Sequence, residues 1–410
     1  MKSCSPHPDS SFEDATYVDA GVFRALRIYK PNTPILPNLR ILTWNPNKYT
    51  KYDGHDLDLF LTSNLLEISL LLPPPPAMLV SLRQTCNRLR KLCMDFPHDH
   101  PDATPSISDI VVHLPSLESI TSRVPLTDDA IVCLSMSHHL QMLDIANDTA
   151  DLLGVLAMNA PHPYFPTLVS LTTKTHDLAT VTSLLMLCSL RNLRSLILRI
   201  NLSQVNDVER LFVELVSSCS HDVLELIMIS HRYPWEDHVE LHLLPARILK
   251  HLFVFNRLRN ITLDLLFDLD DDVVEQMAAA WPRISCMDVQ FFVTPGDHPK
   301  ITLRSLISLV KHCRDLSSLT LVLNVSSHDL ASLKRGIDSL QNCHVTFLAL
   351  DDAWINDDVD PAHASSFLNT LFPKLMAVSV FSDRQRDVWN EINCRLQANV
   401  ATQATASGDM

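Results

Sequence analysis

Apolar and polar residues alternate in short bursts along this chain, and the bursts recur. The clearest is Leu190-Arg-Asn-Leu193-Arg-Ser-Leu196-Ile-Leu198. Leu196 and Leu198 are two apart, a spacing that sends both side chains off the same side of a strand. Immediately upstream, Leu178, Val181, Leu184, Leu185 and Cys188 recur every three or four positions, the spacing of a helix with one buried face. The pattern predicts one amphipathic helix feeding one short strand, a unit that cannot bury its apolar side alone.

The same L-x-x-L-x-L burst returns with anchors at Leu39, Leu65, Leu89, Leu117, Leu140, Leu168, Leu193, Val223, Leu258, Ile284, Leu316, Val345 and Leu375. The mean spacing is about 28 residues, inside the range of the leucine-rich repeat and long enough for a full helix in each repeat. Helical spacing fills the intervals, as in Val208, Leu211, Phe212 and Leu215, and again in Leu303, Leu306, Ile307 and Val310. Asn206-x-x-Glu209 reads as a capping box, and Thr127-Asp128-Asp129 as a cap followed by acids. The expected fold is an α/β leucine-rich-repeat solenoid, or horseshoe, of about thirteen repeats, with a parallel concave sheet and outer helices. The expected organisation is a disordered start over 1–12, an amino-terminal cap over 13–35 using Val18, Val22, Phe23, Leu26 and Ile28, and the solenoid over 36–381. A capping helix over 382–397, built on Val388, Trp389, Ile392 and Leu396, then precedes a disordered tail over 398–410.

Composition narrows the function. A repeat array grows in one dimension, so 410 residues need not mean several domains. The net charge of -14 argues against a duplex nucleic acid as partner. Only six glycines occur, none close enough to another to build a phosphate-cradling loop, so P-loop, G-x-G-x-x-G and G-x-S-x-G motifs are absent. No apolar run reaches the roughly 20 residues of a membrane span, and the longest is cut by Pro73-Pro-Pro-Pro76. The start of the chain has no apolar export segment, and the ten cysteines form no C-x-x-C pair. Reduced thiols in a cytoplasmic or nuclear protein are expected.

Candidate chemistry is sparse. Cys86, Cys188, Cys219, Cys313 and Cys343 each fall just before a strand anchor, which reads as a small apolar residue buried where helix turns into strand. His238-Val-Glu240-Leu-His242 has two histidines four apart, but the glutamate is out of place for H-E-x-x-H and no P-C-x-x-C partner exists. Asp268-Leu-Asp270-Asp271-Asp272 imitates the start of a calcium loop, yet Val273 stands where the loop glycine belongs, so these acids are read as opening a helix. The loop over 231–238 is the one expected to project. No catalytic group, cofactor or metal is assigned.

The strand frame points to a surface. Positions two, four and six beyond each anchor should face the concavity. That places Lys91, Arg123, Lys174 and Arg199 as basic groups in the first half and middle, and Glu225, Asp264, Asp288 and Asp351 as acids in the second half. Ile197, Ile227, Ile229, Val322, Phe347 and Phe381 would add apolar groups. The expected partner is a protein carrying a basic segment, held on the face from Ile197 to Phe381.

The blocks Leu36-Pro-Asn-Leu-Arg-Ile-Leu-Thr-Trp44, Leu114-Pro-Ser-Leu-Glu-Ser-Ile120 and Phe372-Pro-Lys-Leu-Met-Ala-Val378 resemble the F-box leucine-rich-repeat proteins of mushroom-forming fungi. The resemblance spans roughly residues 30–395 as a style of repeat. It implies a substrate receptor of a ubiquitin ligase, in which an F-box docks onto the Skp adaptor of a cullin and the repeats capture substrate. About 35 residues precede the first repeat and hold no leucine-proline-acid pattern of an F-box. The chain is therefore expected to be a truncated member or a repeat-only relative, the alternative being an interaction scaffold unconnected to a ligase.

Overall fold

The computed structural model describes residues 20–29, 35–45, 55–96, 104–158, 163–200, 205–231, 243–291, 298–333, 340–350, 353–380 and 385–408. They fall into two compact units, Met1–Ala130 and Ile131–Met410. Both are built of leucine-rich repeats, with parallel strands alternating with helices, as the burst pattern predicts.

In the first unit α1 (Ala20–Ile28) and β1 (Ile41–Trp44) precede a short 3-10 helix, His55–Leu59, and β2 (Glu67–Leu70). They are followed by α2 (Pro76–Thr85), β3 (Lys91–Met94), α3 (Thr104–Val112) and β4 (Ser119–Ser122). The strands pair in parallel in the order β1-β2-β3-β4. Helix α1 is shorter than the segment expected to cap the array, and Val22 and Ile28 lie exposed on it. Helix α4 (Asp128–Met136) spans the division between the units.

The second unit continues the alternation through β5 (Met142–Asp148), α5 (Thr149–Met158), β6 (Ser170–Thr175), α6 (Leu178–Leu187) and β7 (Ser195–Ile200). Next come α7 (Val205–Ser218), β8 (Leu226–His231), β9 (Leu244–Pro245), α8 (Ala246–Leu249) and β10 (Asn260–Asp268). Then α9 (Asp271–Ala280), β11 (Cys286–Phe291), α10 (Leu303–His312), β12 (Ser318–Leu321), β13 (Asn324–Val325) and α11 (Ser327–Leu333) follow. The last are β14 (Phe347–Leu350), β15 (Trp354–Ile355), α12 (Pro361–Leu371), β16 (Ala377–Ser379) and α13 (Arg386–Gly408). The main sheet runs β5-β6-β7-β8-β10-β11-β12-β14-β16, parallel throughout, while β13 and β15 pair separately. Helix α13 extends past the capping helix expected over 382–397, into residues expected as a disordered tail.

Most repeats bury the anchor and the residues three and five beyond it, while Leu39, Leu42 and Trp44 of the first repeat and Val380 of the last stay half-buried. Leu193, Leu196 and Leu198 have no exposure, and neither do Leu258, Ile261 and Leu263 or Ile284, Met287 and Val289. Each fully buried aliphatic side chain contributes about 1.5–3 kcal/mol, so these triads dominate the stability of a repeat. A tight turn sets the frame: the anchor N–H donates to the carbonyl three residues back, as in Leu168 to Phe165, Leu258 to Phe255, Ile284 to Trp281 and Leu375 to Phe372. At Val345 the side-chain Oδ1 of Asn342 replaces that carbonyl, and another repeat lengthens the turn. In Ser220-His-Asp-Val-Leu224 the turn holds an extra residue, with both the Val223 and Leu224 N–H groups donating to Ser220 O. The buried frame there is Leu224, Ile227 and Ile229, not Val223, Leu226 and Met228.

Polar groups finish the repeats. Asp177 and Asp270 cap α6 and α9 through N–H groups of the first turn. Asp271 reaches across to the next repeat and accepts from Thr302 N at 2.8 Å, Thr302 Oγ1 at 2.7 Å and the Ser305 hydroxyl. Asp270, Asp271 and Asp272 thus open a helix, as the sequence implies, while Asp268 ends β10 and pairs with Lys300. At the last strand, Asn393 of α13 stands in for a further strand: its Oδ1 accepts from Val378 N at 2.7 Å and its Nδ2 donates to Val378 O at 2.8 Å. Gln385, with a left-handed φ of 59°, does the same for β15, accepting from Ile355 N at 2.7 Å and donating to Ile355 O.

The cysteine expectation holds for three of its five positions. Cys86, Cys219 and Cys313 are buried, Cys188 is half-buried, and Cys343 is exposed because the polar Asn342 takes the buried turn site beside it. Burial pushes the thiol of Cys86 up to about 11 and those of Cys188, Cys219 and Cys313 up to about 12. At neutral pH these four stay thiols, and the thiolate is the reactive form. Among the described cysteines, iodoacetamide should therefore label Cys343 and Cys394 first in the folded chain and leave these four unlabelled, as read by peptide mass mapping. Asn393→Asp sets a carboxylate against Val378 O and should cost about 1–3 kcal/mol in urea unfolding. Asn390→Asp, at an exposed position of the same helix, should not register. Both variants change the same charge.

Candidate functional site

The surface that the strand frame points to is the sheet face opposite the helices. In the second unit the strand registers assemble it into rows. One row runs Ile197, Met228, Thr262, Asp288, Thr320 and Ala349 on consecutive strands. A parallel row runs Ser195, Leu226, Asn260, Cys286, Ser318 and Phe347. All but Phe347 are half-buried, and Phe347 is exposed.

Several expected face residues lie elsewhere. Ile227 and Ile229 have no exposure and pack in the core beside Leu196 and Leu198. The extra turn residue before Leu224 causes this, because a one-residue slip moves every side chain of a strand to the other face. Met228 and Leu226 hold the face instead. Glu225 drops back to the strand entrance, where it pairs with Arg194 at 3.5 Å. Val322 is buried, because the chain leaves β12 to form β13. Asp351, Phe381 and the loop residues 232–242, with His238, Glu240 and His242, lie outside the described residues.

The expected basic stretch is compensated. In the first unit Lys91 meets Glu67 at 2.8 Å and Arg123 meets Asp95 at 2.9 Å. In the second, Lys174 and Arg199 are cross-strand neighbours, and Asp144 approaches Arg199 at 3.8 Å. Asp148 stands opposite Lys174 in the register. Such pairs contribute about 0–1 kcal/mol, and here they leave little charge for a partner.

Asp288 is different. It sits between Thr262 and Thr320, and one carboxylate oxygen, Oδ1, is buried with no hydrogen-bond partner. Burial raises its pKa above the ordinary carboxylate value, and a hydrogen bond from the Thr320 side chain only partly offsets this. Asp264 lies half-buried two positions beyond Thr262 on the same face. Beside these polar groups Ile197, Leu226 and Met228 form an apolar shoulder. An acceptor that is already desolvated and unpaired strongly favours an incoming N–H donor.

The cavity lined by Leu303, Leu323, Val325, Leu368 and Trp389 measures about 10 Å³ and is apolar, too small for a ligand. Among the described residues no group of three or more His, Cys, Asp or Glu can hold a metal ion, and no helix is long and apolar enough to cross a membrane.

No family model and no curated protein matches the chain. Among solved structures it is similar to a chain in the crystal structure of the Rad7 and Elc1 complex in yeast, at 16% identity and a TM-score of 0.48. That likeness covers 88% of this chain and 82% of the other.

The raised pKa of Asp288 has a consequence for stability. Above the ordinary carboxylate pKa the unfolded chain releases this proton more readily than the folded one, so ionisation of Asp288 costs stability as pH rises. Asp288→Asn removes that cost. The variant should melt at a higher temperature than the parent at neutral pH, and the gap should shrink as pH falls toward 4, by circular dichroism.

Proposed function

We propose that this chain is a protein-recognition module with no catalysis of its own, and that the open face of its second unit receives a polypeptide bearing a basic residue. The observation that carries the reading is the buried, unpaired Asp288 Oδ1 beside the apolar shoulder of Ile197, Leu226 and Met228. A partner's ammonium or guanidinium would pair Asp288, and its apolar residues would cover the shoulder. The rim-and-core arrangement of protein interfaces has this composition, with apolar and desolvated groups at the centre. The partner's charge would also lower the Asp288 pKa, so binding should release a proton near the carboxylate range.

The test is site-specific photocross-linking in cell extract. A photoreactive residue at position 228 should capture a polypeptide through a segment containing Lys or Arg. The same residue at position 186, where Met186 lies exposed on α6, should not. Reversal of both acids, Asp264→Lys with Asp288→Lys, should reduce capture by about ten-fold or more. Equal capture at both positions, or capture unaffected by the reversal in a folded variant, refutes the reading.

The finer reading, a ubiquitin-ligase substrate receptor, is supported by the resemblance of the Leu36, Leu114 and Phe372 blocks to F-box repeat proteins. It expects the full-length protein to co-purify with a Skp adaptor and cullin. Recovery of the open-face partner without either would leave a recognition scaffold instead.

A further inference from the structure

The turns that lead into the strands carry a second surface, distinct from the open face. In three successive repeats of the second unit they read Phe255-Asn-Arg257-Leu258-Arg259, Trp281-Pro-Arg283-Ile284 and Cys313-Arg314-Asp315-Leu316. Each is fixed by the same anchor-to-carbonyl hydrogen bond, so Arg257 and Arg283 occupy equivalent turn positions on neighbouring repeats. Arg257, Arg259, Arg283 and Arg314 are all exposed. Among the described residues none of the four has a carboxylate within ion-pair distance. Asp315 is the single acid in these turns. This concentration of positive charge belongs to a chain whose net charge is -14.

Helix polarity explains part of the segregation. Helices run back against the strands, so their carboxyl ends sit at the strand entrances and favour cations, while their amino ends sit at the strand exits and favour anions. In this stretch of the second unit the two rims differ in what these charges do. Several acids at the strand exits are consumed internally. Asp177 accepts from Ala179 N and from the N–H and hydroxyl of Thr180, Asp270 caps α9, Asp271 takes three donors from the next repeat, and Asp268 pairs with Lys300 at 2.7 Å. The four arginines make no equivalent bonds. A helix-end role is also met already on α10 by Lys311 and His312 in its last turn.

We propose that Arg257, Arg259, Arg283 and Arg314 form a docking ridge for a short acidic polypeptide segment. Guanidinium groups pair with carboxylates in a two-pronged fork, which suits side chains that alternate along an extended chain. Three adjacent strands span about 10 Å, the length of about three extended residues, so the recognised unit is a short acidic motif. A nucleic acid fits less well. The overall negative charge repels a polyanion of high charge density, and no aromatic side chain is exposed among these turns for base stacking.

The experiment uses the full-length chain and a fluorescein-labelled oligoglutamate peptide, read by anisotropy. The parent should bind, with affinity falling as salt rises. The fourfold variant Arg257→Glu, Arg259→Glu, Arg283→Glu and Arg314→Glu should bind at least about ten-fold more weakly, and the matching Gln variant should lie between. Reversal of two exposed helix cations, Arg210→Glu with Arg304→Glu, should leave binding unchanged. Thermal melts establish that each variant is folded, and the Gln variant serves as the readout if the Glu variant is not. No binding by the parent at low salt, or equal loss in the helix control, overturns the proposal. Tighter binding of a single-stranded oligonucleotide of equal length overturns the assignment to a polypeptide.

Discussion

Consecutive N–H groups at the start of a strand share one carbonyl of the preceding repeat, and the repeats are built around that pairing. In most repeats the residue just after the anchor offers its carbonyl to two consecutive N–H groups of the next repeat. Arg40 O accepts from Leu66 and Glu67, and Leu66 O from Arg90 and Lys91 in the first unit. Val169 O accepts from Arg194 and Ser195, Arg194 O from Glu225 and Leu226, and Arg259 O from Ser285 and Cys286 in the second. Buried backbone donors left unpaired cost about 1–3 kcal/mol each, so a repeat out of step with its neighbour would lose this ladder and its leucine triad together. That coupling fixes the strand frame, and the frame in turn decides which side chains reach the open face.

An array held this way has to end somewhere, because each strand it adds exposes another row of donors and acceptors. The second unit ends on amide side chains. Asn393 and Gln385 each present a carbonyl and an NH2 at strand spacing and take up the main chain of Val378 and Ile355. An unpaired parallel edge invites pairing with another chain, and these two residues remove the invitation without adding a strand. Asn342 uses the same chemistry inside the array. It occupies the buried turn site that Phe, Trp, Leu or Cys fills in other repeats, and its Oδ1 accepts from His344 N and Val345 N.

Against these satisfied backbone groups, two sets of polar side chains stand out. One oxygen of Asp288 on the open face, Oδ1, is buried without a hydrogen-bond partner, and Arg257, Arg259, Arg283 and Arg314 at the strand entrances are exposed without an ion pair among the described residues. The first is an expensive arrangement for an isolated chain and the second a neutral one. They call for opposite chemistry in whatever they meet. The recognition role proposed above would use both, one as a buried anchor and one as a salt-sensitive rim.

The period of about 28 residues, the parity of twelve of the thirteen strands and the helix-opening acids at 270–272 were all readable from residue order, because hydrophobic spacing reports directly which side of a strand or helix is dry. Asp264, Asp288, Ile197 and Arg199 were placed on the open face for the same reason. The run Val223-Leu-Glu-Leu-Ile-Met-Ile229 defeated that logic: it is apolar at both parities, so either frame satisfies the pattern, and only the longer turn at Ser220 and the pairing with β7 select Ile227 and Ile229 for the core. Pairing itself is equally invisible in one dimension. That Arg199 meets Asp144, that Asp288 keeps an orphan oxygen, and that Asn393 and Gln385 close the last strands depend on residues brought together from different repeats, and those meetings exist only once the strands lie side by side.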